Sequence, residues 1–258
     1  MEPVTTADGT EIAVERYGDG PPLIALHGSA ATGGSLQPIV SQLAADYTVI
    51  VPDRRGRGAS GDGDDYDLDR EIGDLQAIVA AIDGDPVVVA HSFGGLVALA
   101  AAPTLDIARL VLYEPAVTVG DPPETPLSEH LQTLVADGNE QEAMRLFFEA
   151  GSGIPDVTAM PWWPEQINMA WIDTVMRELE AIEAFRLPTL DFETPTLLLT
   201  GEHGPDHLAA GARAVDDEHE GSRHVEIEGV GHLGLLSEPE RVSDLVTTFV
   251  DDPTAVGQ

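Results

Sequence analysis

The stretch Pro86-Val87-Val88-Val89-Ala90-His91-Ser92-Phe93-Gly94-Gly95 constrains the fold more than any other part of the chain. An apolar run of strand character ends in a serine, and the small-residue run Leu96-Val97-Ala98-Leu99-Ala100-Ala101-Ala102 that follows suits a buried helix. A strand that becomes a helix over so few residues holds the residue at its apex in a strained conformation. It also crowds the flanking positions, so the side chains two before and two after must be tiny. Ala90 and Gly94 meet that demand. Such a turn lifts the serine hydroxyl above the sheet and aims the backbone N–H of Phe93 into the same space. A plain loop entering a helix accounts for the same residues without any chemistry; the other segments weigh against it.

Read coarsely, the chain alternates strand and helix. Glu11 to Arg16 reads as an early antiparallel strand, followed by the buried runs 23–26, 48–51, 86–90, 109–112, 196–200 and 224–227. Helical patterns fall between most of these, over 36–44, 69–82, 95–102, 207–215 and 239–250. The alternation predicts an α/β fold with a mostly parallel central sheet and helices on both faces. One interval breaks it: roughly Ala116 to Glu193, with all three tryptophans, separates two strands that a single helix would otherwise link. The expectation is a core of residues 1–115 and 194–258 and an inserted helical cap over residues 116–193, placed above the carboxyl ends of the strands. Pro122-Pro123 and Pro188 near its borders suit hinges or rigid exits.

At 258 residues, one core with an insertion is the natural size class. Acidic residues number 46 against 12 basic ones, every one an arginine, for a formal charge of −34. A charge of this size repels the compact state in dilute buffer. At molar salt, where the Debye length is about 3 Å, that repulsion is screened. The acids are scattered through loops and helix surfaces, which predicts a solvated coat, adaptation to high salt, and no nucleic-acid or membrane partner. A small-molecule substrate remains, and the oligomeric state is open. There is no cysteine, hence no disulfide, thiol nucleophile or cysteine metal site. The eight histidines are too scattered for a metal cluster, and no cofactor motif is present. Without a basic amino-terminal region or an apolar run of membrane-spanning length, a cytoplasmic location is expected.

The chain resembles the α/β-hydrolase superfamily along nearly its whole length. Beside the turn at Ser92, the likeness rests on His27-Gly28-Ser29-Ala30 after the strand 23–26, and on Asp53-Arg54-Arg55-Gly56-Arg57-Gly58-Ala59-Ser60, similar to D-x-R-G-x-G-x-S. Gly229-Val230-Gly231-His232 matches G-x-G-H after the last strand, and Ser237-Glu238-Pro239-Glu240 opens a final helix. Ala90 stands where the family usually has glycine. The resemblance implies that Ser92 is a nucleophile and that the backbone N–H groups of Ser29 and Phe93 form an oxyanion hole.

A serine hydroxyl needs a base, and an imidazole alone has an unperturbed pKa suited to taking and returning its proton. His232 is the candidate, although taken alone it reads equally as a structural loop histidine. His91 is expected to point away from the hydroxyl as a packing residue, and His27 to buttress its own loop. Many relatives carry the third member, an aspartate, in a G-x-x-D turn after the strand 196–200, but here that turn reads Gly201-Glu202-His203-Gly204. Glu114, ending the strand 109–113 just before Pro115, resembles the alternative acid position of some haloalkane dehalogenases and lipases. A salt bridge at the strand end is the competing reading, and Asp206 and Glu202 are the fallback acids. Asp53 and Arg55 suggest an ion pair or loop clamp. In the insertion, Trp162, Trp163, Trp171, Met160, Met169, Phe147 and Phe148 suit either an apolar acyl pocket or internal packing.

The expectation is a serine hydrolase acting on small carboxylic esters through an acyl-enzyme, with Ser92, His232 and Glu114 as its triad. Cleavage of C–C bonds, lactones or thioesters and cofactor-free perhydrolysis belong to the same fold. True dehalogenases and epoxide hydrolases carry aspartate at position 92. A ligand-binding protein that keeps the fold without turnover is the alternative of another class.

Overall fold

The computed structural model describes residues 3–63, 65–120 and 124–256; Pro122 and Pro123, expected as hinges, lie outside the described residues. A two-stranded ribbon of β1 (Val4–Thr5) and β2 (Glu11–Ile12) precedes the main sheet. The first half of that sheet comprises β3 (Val14–Tyr17), β4 (Pro22–Leu26), β5 (Thr48–Pro52) and β6 (Val87–His91), with helices α1 (Gln37–Leu43) and α2 (Leu68–Ala80) between them. Helix α3 (Ser92–Ala101) then leads to β7 (Arg109–Tyr113). The insertion carries α4 (Leu127–Ala136), α5 (Glu140–Ser152) and α6 (Ile172–Ala184). The chain closes through β8 (Thr196–Gly201), α7 (Asp206–Glu218), β9 (Ser222–Ile227), the single turn α8 (Gly234–Ser237) and α9 (Pro239–Asp251). Among the described residues, no helix is long and apolar enough to cross a membrane.

The seven-stranded sheet has the order β3-β5-β4-β6-β7-β8-β9, with β3 antiparallel to β5 and the other pairs parallel. Side chains alternate between two cores, as a period of two requires. Ile24, Val88, Leu110 and Leu198 face one core with α2, α3 and α7; Leu23, Val87, Val111 and Leu197 face the other with α1 and α9. Each fully buried Val, Leu or Ile is worth about 1.5–3 kcal/mol, so the apolar runs of the sequence hold the sheet from both faces. A third apolar cluster, including Leu131, Met144, Trp163 and Val175, lies within the insertion, and Ala30 packs on it.

The register decides where chemistry can sit. Leu26, Ala90, Leu112 and Leu198 form one row across β4, β6, β7 and β8. The residues just past that row therefore leave the strands side by side, at the edge where the order reverses between β4 and β6; ligands bind at such switch points in parallel sheets. Helix α3 begins at Ser92 itself, three positions earlier than the helical pattern over 95–102 suggests. The reason is tertiary. Gly94 sits against the end of β4, where a Cβ would lie 2.5 Å from the His27 carbonyl oxygen, and that contact, not helix propensity, fixes the turn.

Candidate active site

Backbone strain marks the site. Among the described residues, the non-glycine positions with positive φ are Ala30 (51°), Ser92 (53°) and Glu114 (43°), and all three lie in the candidate segments. Such conformations cost of order 1–3 kcal/mol each and persist where the surroundings over-determine them. For Ser92, Ala116 N–H holds its carbonyl (3.0 Å). For Glu114, the N–H donates to the Leu199 carbonyl (2.8 Å) as β7 ends against β8.

Glu114 is fully buried. Its Oε1 accepts from Gly201 N–H (2.8 Å) and its Oε2 from Nδ1 of His232 (2.6 Å). With the Nδ1 proton committed to the carboxylate, the Nε2 lone pair of His232 remains free. Burial pushes the Glu114 carboxyl up, opposed by the Gly201 N–H. Burial, and then the neighbouring His207, push His232 down to about 3, so its ring is neutral at physiological pH. The buried glutamate at the strand end is thus bonded to a histidine and a backbone amide; among the described residues no arginine bridges to it.

The empty acid position after β8 has a geometric counterpart. A Cβ on Gly204 would lie 1.9 Å from Glu114 Oε1. The carboxylate of Glu114 fills the place into which a side chain at 204 would project, so the glycine and the displaced acid belong together. Glu202 is exposed and accepts from Gly229 N–H (2.8 Å), and Asp206 is exposed at the head of α7. Neither is a partner of His232.

His91 does more than the sequence reading assigned to it. It is a packing residue, as expected, but the packing partner is the site itself: its Nε2–H donates to the His232 carbonyl (2.9 Å), and the two rings lie tilted by 37° with centroids 4.5 Å apart. Burial, then His232, hold His91 down to about 3, so two neutral rings face each other. Tyr113 closes the same loop by donating its hydroxyl to the Gly231 carbonyl (2.7 Å). These contacts bring the His232 loop against the residue that precedes Ser92.

The loop after β4 lies beside the serine, where a Cβ on Gly28 would stand 2.9 Å from that of Ser92. His27 does buttress this loop: it accepts the Arg54 N–H at Nε2 (3.0 Å) and donates from Nδ1 to the Gly28 carbonyl (2.8 Å). Burial holds its pKa well below the ordinary imidazole value. The Asp53–Arg55 ion pair is not formed. Asp53 clamps its loop by accepting from Gly33 N–H (2.8 Å) and Ala59 N–H (2.9 Å), while Arg55 pairs with Asp74 (2.6 Å) and Asp8 (3.2 Å). Two arginines that sequence reasoning passed over, Arg54 and Arg57, are buried beside these loops. Their only signal is three arginines within four residues of a chain that has twelve. In the insertion, Phe148, Trp162 and Trp163 pack on one another at centroid distances of 5.6–6.4 Å.

Comparison with known proteins agrees with this fold. A profile described as the alpha/beta hydrolase family matches residues 23–245. An alpha/beta hydrolase from Sphaerobacter thermophilus DSM 20745 superposes with a TM-score of 0.82 at 32% identity, covering 96% of this chain and 99% of that one. A thermophilic esterase from Thermogutta terrifontis shares the fold at 24% identity, with a TM-score of 0.76 and 97% of each chain covered. A non-heme chloroperoxidase of Kitasatospora aureofaciens is 38% identical over 94 residues, which span 35% of this chain and only 34% of that protein.

Proposed function

Given that the chain belongs to the alpha/beta hydrolase family, we infer that it is a serine esterase with Ser92 as nucleophile, His232 as base and Glu114 as the acid that orients the base. The observation that carries this reading is the fully buried Glu114 bonded at 2.6 Å to Nδ1 of a neutral His232, beside a serine held at φ 53°. In the forward step Ser92 Oγ attacks the ester carbonyl as His232 Nε2 takes its proton. The imidazolium, stabilised by Glu114, returns that proton to the departing alcohol. Water then repeats the sequence on the acyl-enzyme. The N–H groups of Ser29 and Phe93 receive the oxyanion, a pair of donors typically worth about 10²–10³ in rate each.

The test is hydrolysis of p-nitrophenyl acetate with a pre-steady-state burst equal to the enzyme concentration. Turnover and burst are expected to vanish in Ser92→Ala; turnover that survives the substitution would refute the reading. The 46 acidic residues against 12 arginines support running this assay at molar salt. Loss of the folded circular-dichroism signal on dialysis to low ionic strength is expected, and an unchanged signal would contradict that part.

The partial likeness to a non-heme chloroperoxidase favours a second reading, in which hydrogen peroxide replaces water at the acyl-enzyme and releases a peracid. Peroxide-dependent bromination of monochlorodimedone in the presence of acetate, absent in Ser92→Ala, would identify it.

A further inference from the structure

We propose that Arg54 is the positioning residue of the oxyanion hole, and that Glu178 ties its alignment to the seating of helix α6 of the insertion. The inference rests on the serine-hydrolase reading above.

Arg54 is 3% exposed, and its side chain meets four parts of the molecule. Its Nε and Nη2 fork onto the Glu71 carboxylate of α2 (3.1 and 2.7 Å), and Nη2 also reaches Glu178 Oε1 of α6 (2.6 Å). Its Nη1 donates to the Gly28 carbonyl (3.1 Å), and its guanidinium lies 4.5 Å from the centre of the Phe93 ring. The Gly28 carbonyl and the Ser29 N–H belong to one planar trans peptide and point in opposite directions. Arg54 and His27 both donate to that carbonyl. Their two hydrogen bonds therefore fix the direction of the Ser29 N–H and, by polarising the amide, strengthen it as a donor by about 10–30%. The second donor, Phe93, is touched through its ring. One side chain thus contacts both halves of the hole.

Its role is directional. Arg54 and Arg57 face Glu71 and Glu178 (Arg57–Glu178 2.9 Å) in a cluster of balanced charge, so the group offers little net field to an oxyanion. What it offers is a rigid fork, with one arm on the peptide behind the oxyanion and another on a helix of the insertion. A lysine keeps the charge but lacks the planar set of donors. Glu178 stands on the buried face of α6 with Thr174, Val175 and Leu179, so displacement of that helix pulls on Arg54 and, through it, on the Gly28–Ser29 peptide.

The test compares wild type, Arg54→Lys, Glu178→Gln and Arg55→Lys on p-nitrophenyl acetate, with inhibition by a trifluoromethyl ketone that forms a hemiketal oxyanion on Ser92. For Arg54→Lys, kcat is expected to fall about tenfold or more, a fraction of the ~10²–10³ attached to a whole oxyanion donor. KM should stay within about threefold and the ketone should weaken in parallel with kcat. Glu178→Gln should show the same pattern at roughly a third of that size. Arg55 is just as buried but bonded to Asp74 and Asp8, so Arg55→Lys should lose thermal stability while keeping kcat within about twofold. A folded Arg54→Lys whose kcat and ketone affinity stay within twofold of wild type, or fall no further than those of Arg55→Lys, overturns the proposal. If Arg54→Lys does not fold, Glu178→Gln decides, and an unchanged kcat there overturns it. Absence of Ser92-dependent turnover in wild type itself would instead sink the hydrolase reading, and with it this inference.

Discussion

Glu114 and Glu178 are both buried to 1% exposure or less, yet they answer the same physical problem in opposite ways. A buried carboxylate is costly unless it is hydrogen-bonded and paired. Glu178 solves this with full countercharges, Arg54 at 2.6 Å and Arg57 at 2.9 Å, and locks the insertion to the core. Glu114 is satisfied by a backbone amide and a neutral imidazole. Its charge is left partly uncompensated until the imidazole takes a proton, which is when an acyl-transfer enzyme needs it. The cluster's electrostatics are spent on stability; on the proposed serine-esterase reading, those of the pair are held for a transition state.

The sharpest way to break the contrast is to move the acid. Gly204→Asp drives a side chain into the buried Glu114 carboxylate, and is expected to cost most of the ~10⁴-fold in kcat attached to a lost triad acid, together with some stability, because two carboxylates then share one buried place. The double variant Gly204→Asp with Glu114→Ala should recover at least about tenfold over Glu114→Ala alone, because the turn after β8 then has both room and a carboxylate. Ester kinetics on the three proteins check this; a Gly204→Asp enzyme of wild-type activity would show that Glu114 is not needed where it stands.

On the other side, Glu178→Ala strands Arg54 and Arg57 and should destabilise the fold by about 3–5 kcal/mol in a denaturant titration, the usual cost of breaking a buried pair. Glu114→Gln should change stability far less. Comparable losses in the two variants would erase the distinction.

The smallest expected effect is in pH dependence. A base works only when neutral, so kcat/KM must fall as pH drops through the His232 pKa. Because burial and His207 lower that pKa below the ordinary 6.5, activity should persist below pH 6.5 and decline only at more acid values. An acid limb at or above 6.5 would contradict the burial argument.

Much of this was legible in the chain because it is local. The apolar runs give the strands, their alternation gives the two-sided sheet, and the crowding at Ala90 and Gly94 gives the turn that carries Ser92. Glu114 was visible through a coincidence of two local anomalies, an acid closing an apolar strand and a glycine closing the G-x-x-D turn. What stayed hidden depends on distant pairings or on the backbone. Arg54 meets Glu178 across a separation of 124 positions, and nothing in either neighbourhood names the other. His91 binds a main-chain carbonyl, an acceptor that every residue owns. Arg55 passed over the adjacent Asp53 for Asp74, because Asp53 was already occupied by two loop amides.

The central claim is that a buried Glu114–His232 pair activates Ser92. The most direct measurement is the second-order rate of Ser92 labelling by a fluorophosphonate in wild type, Glu114→Gln and Asp206→Asn at molar salt. The rate should collapse in Glu114→Gln and hold within about twofold in Asp206→Asn. The opposite pattern, with Glu114→Gln reactive and Asp206→Asn inert, would place the acid elsewhere and contradict the account.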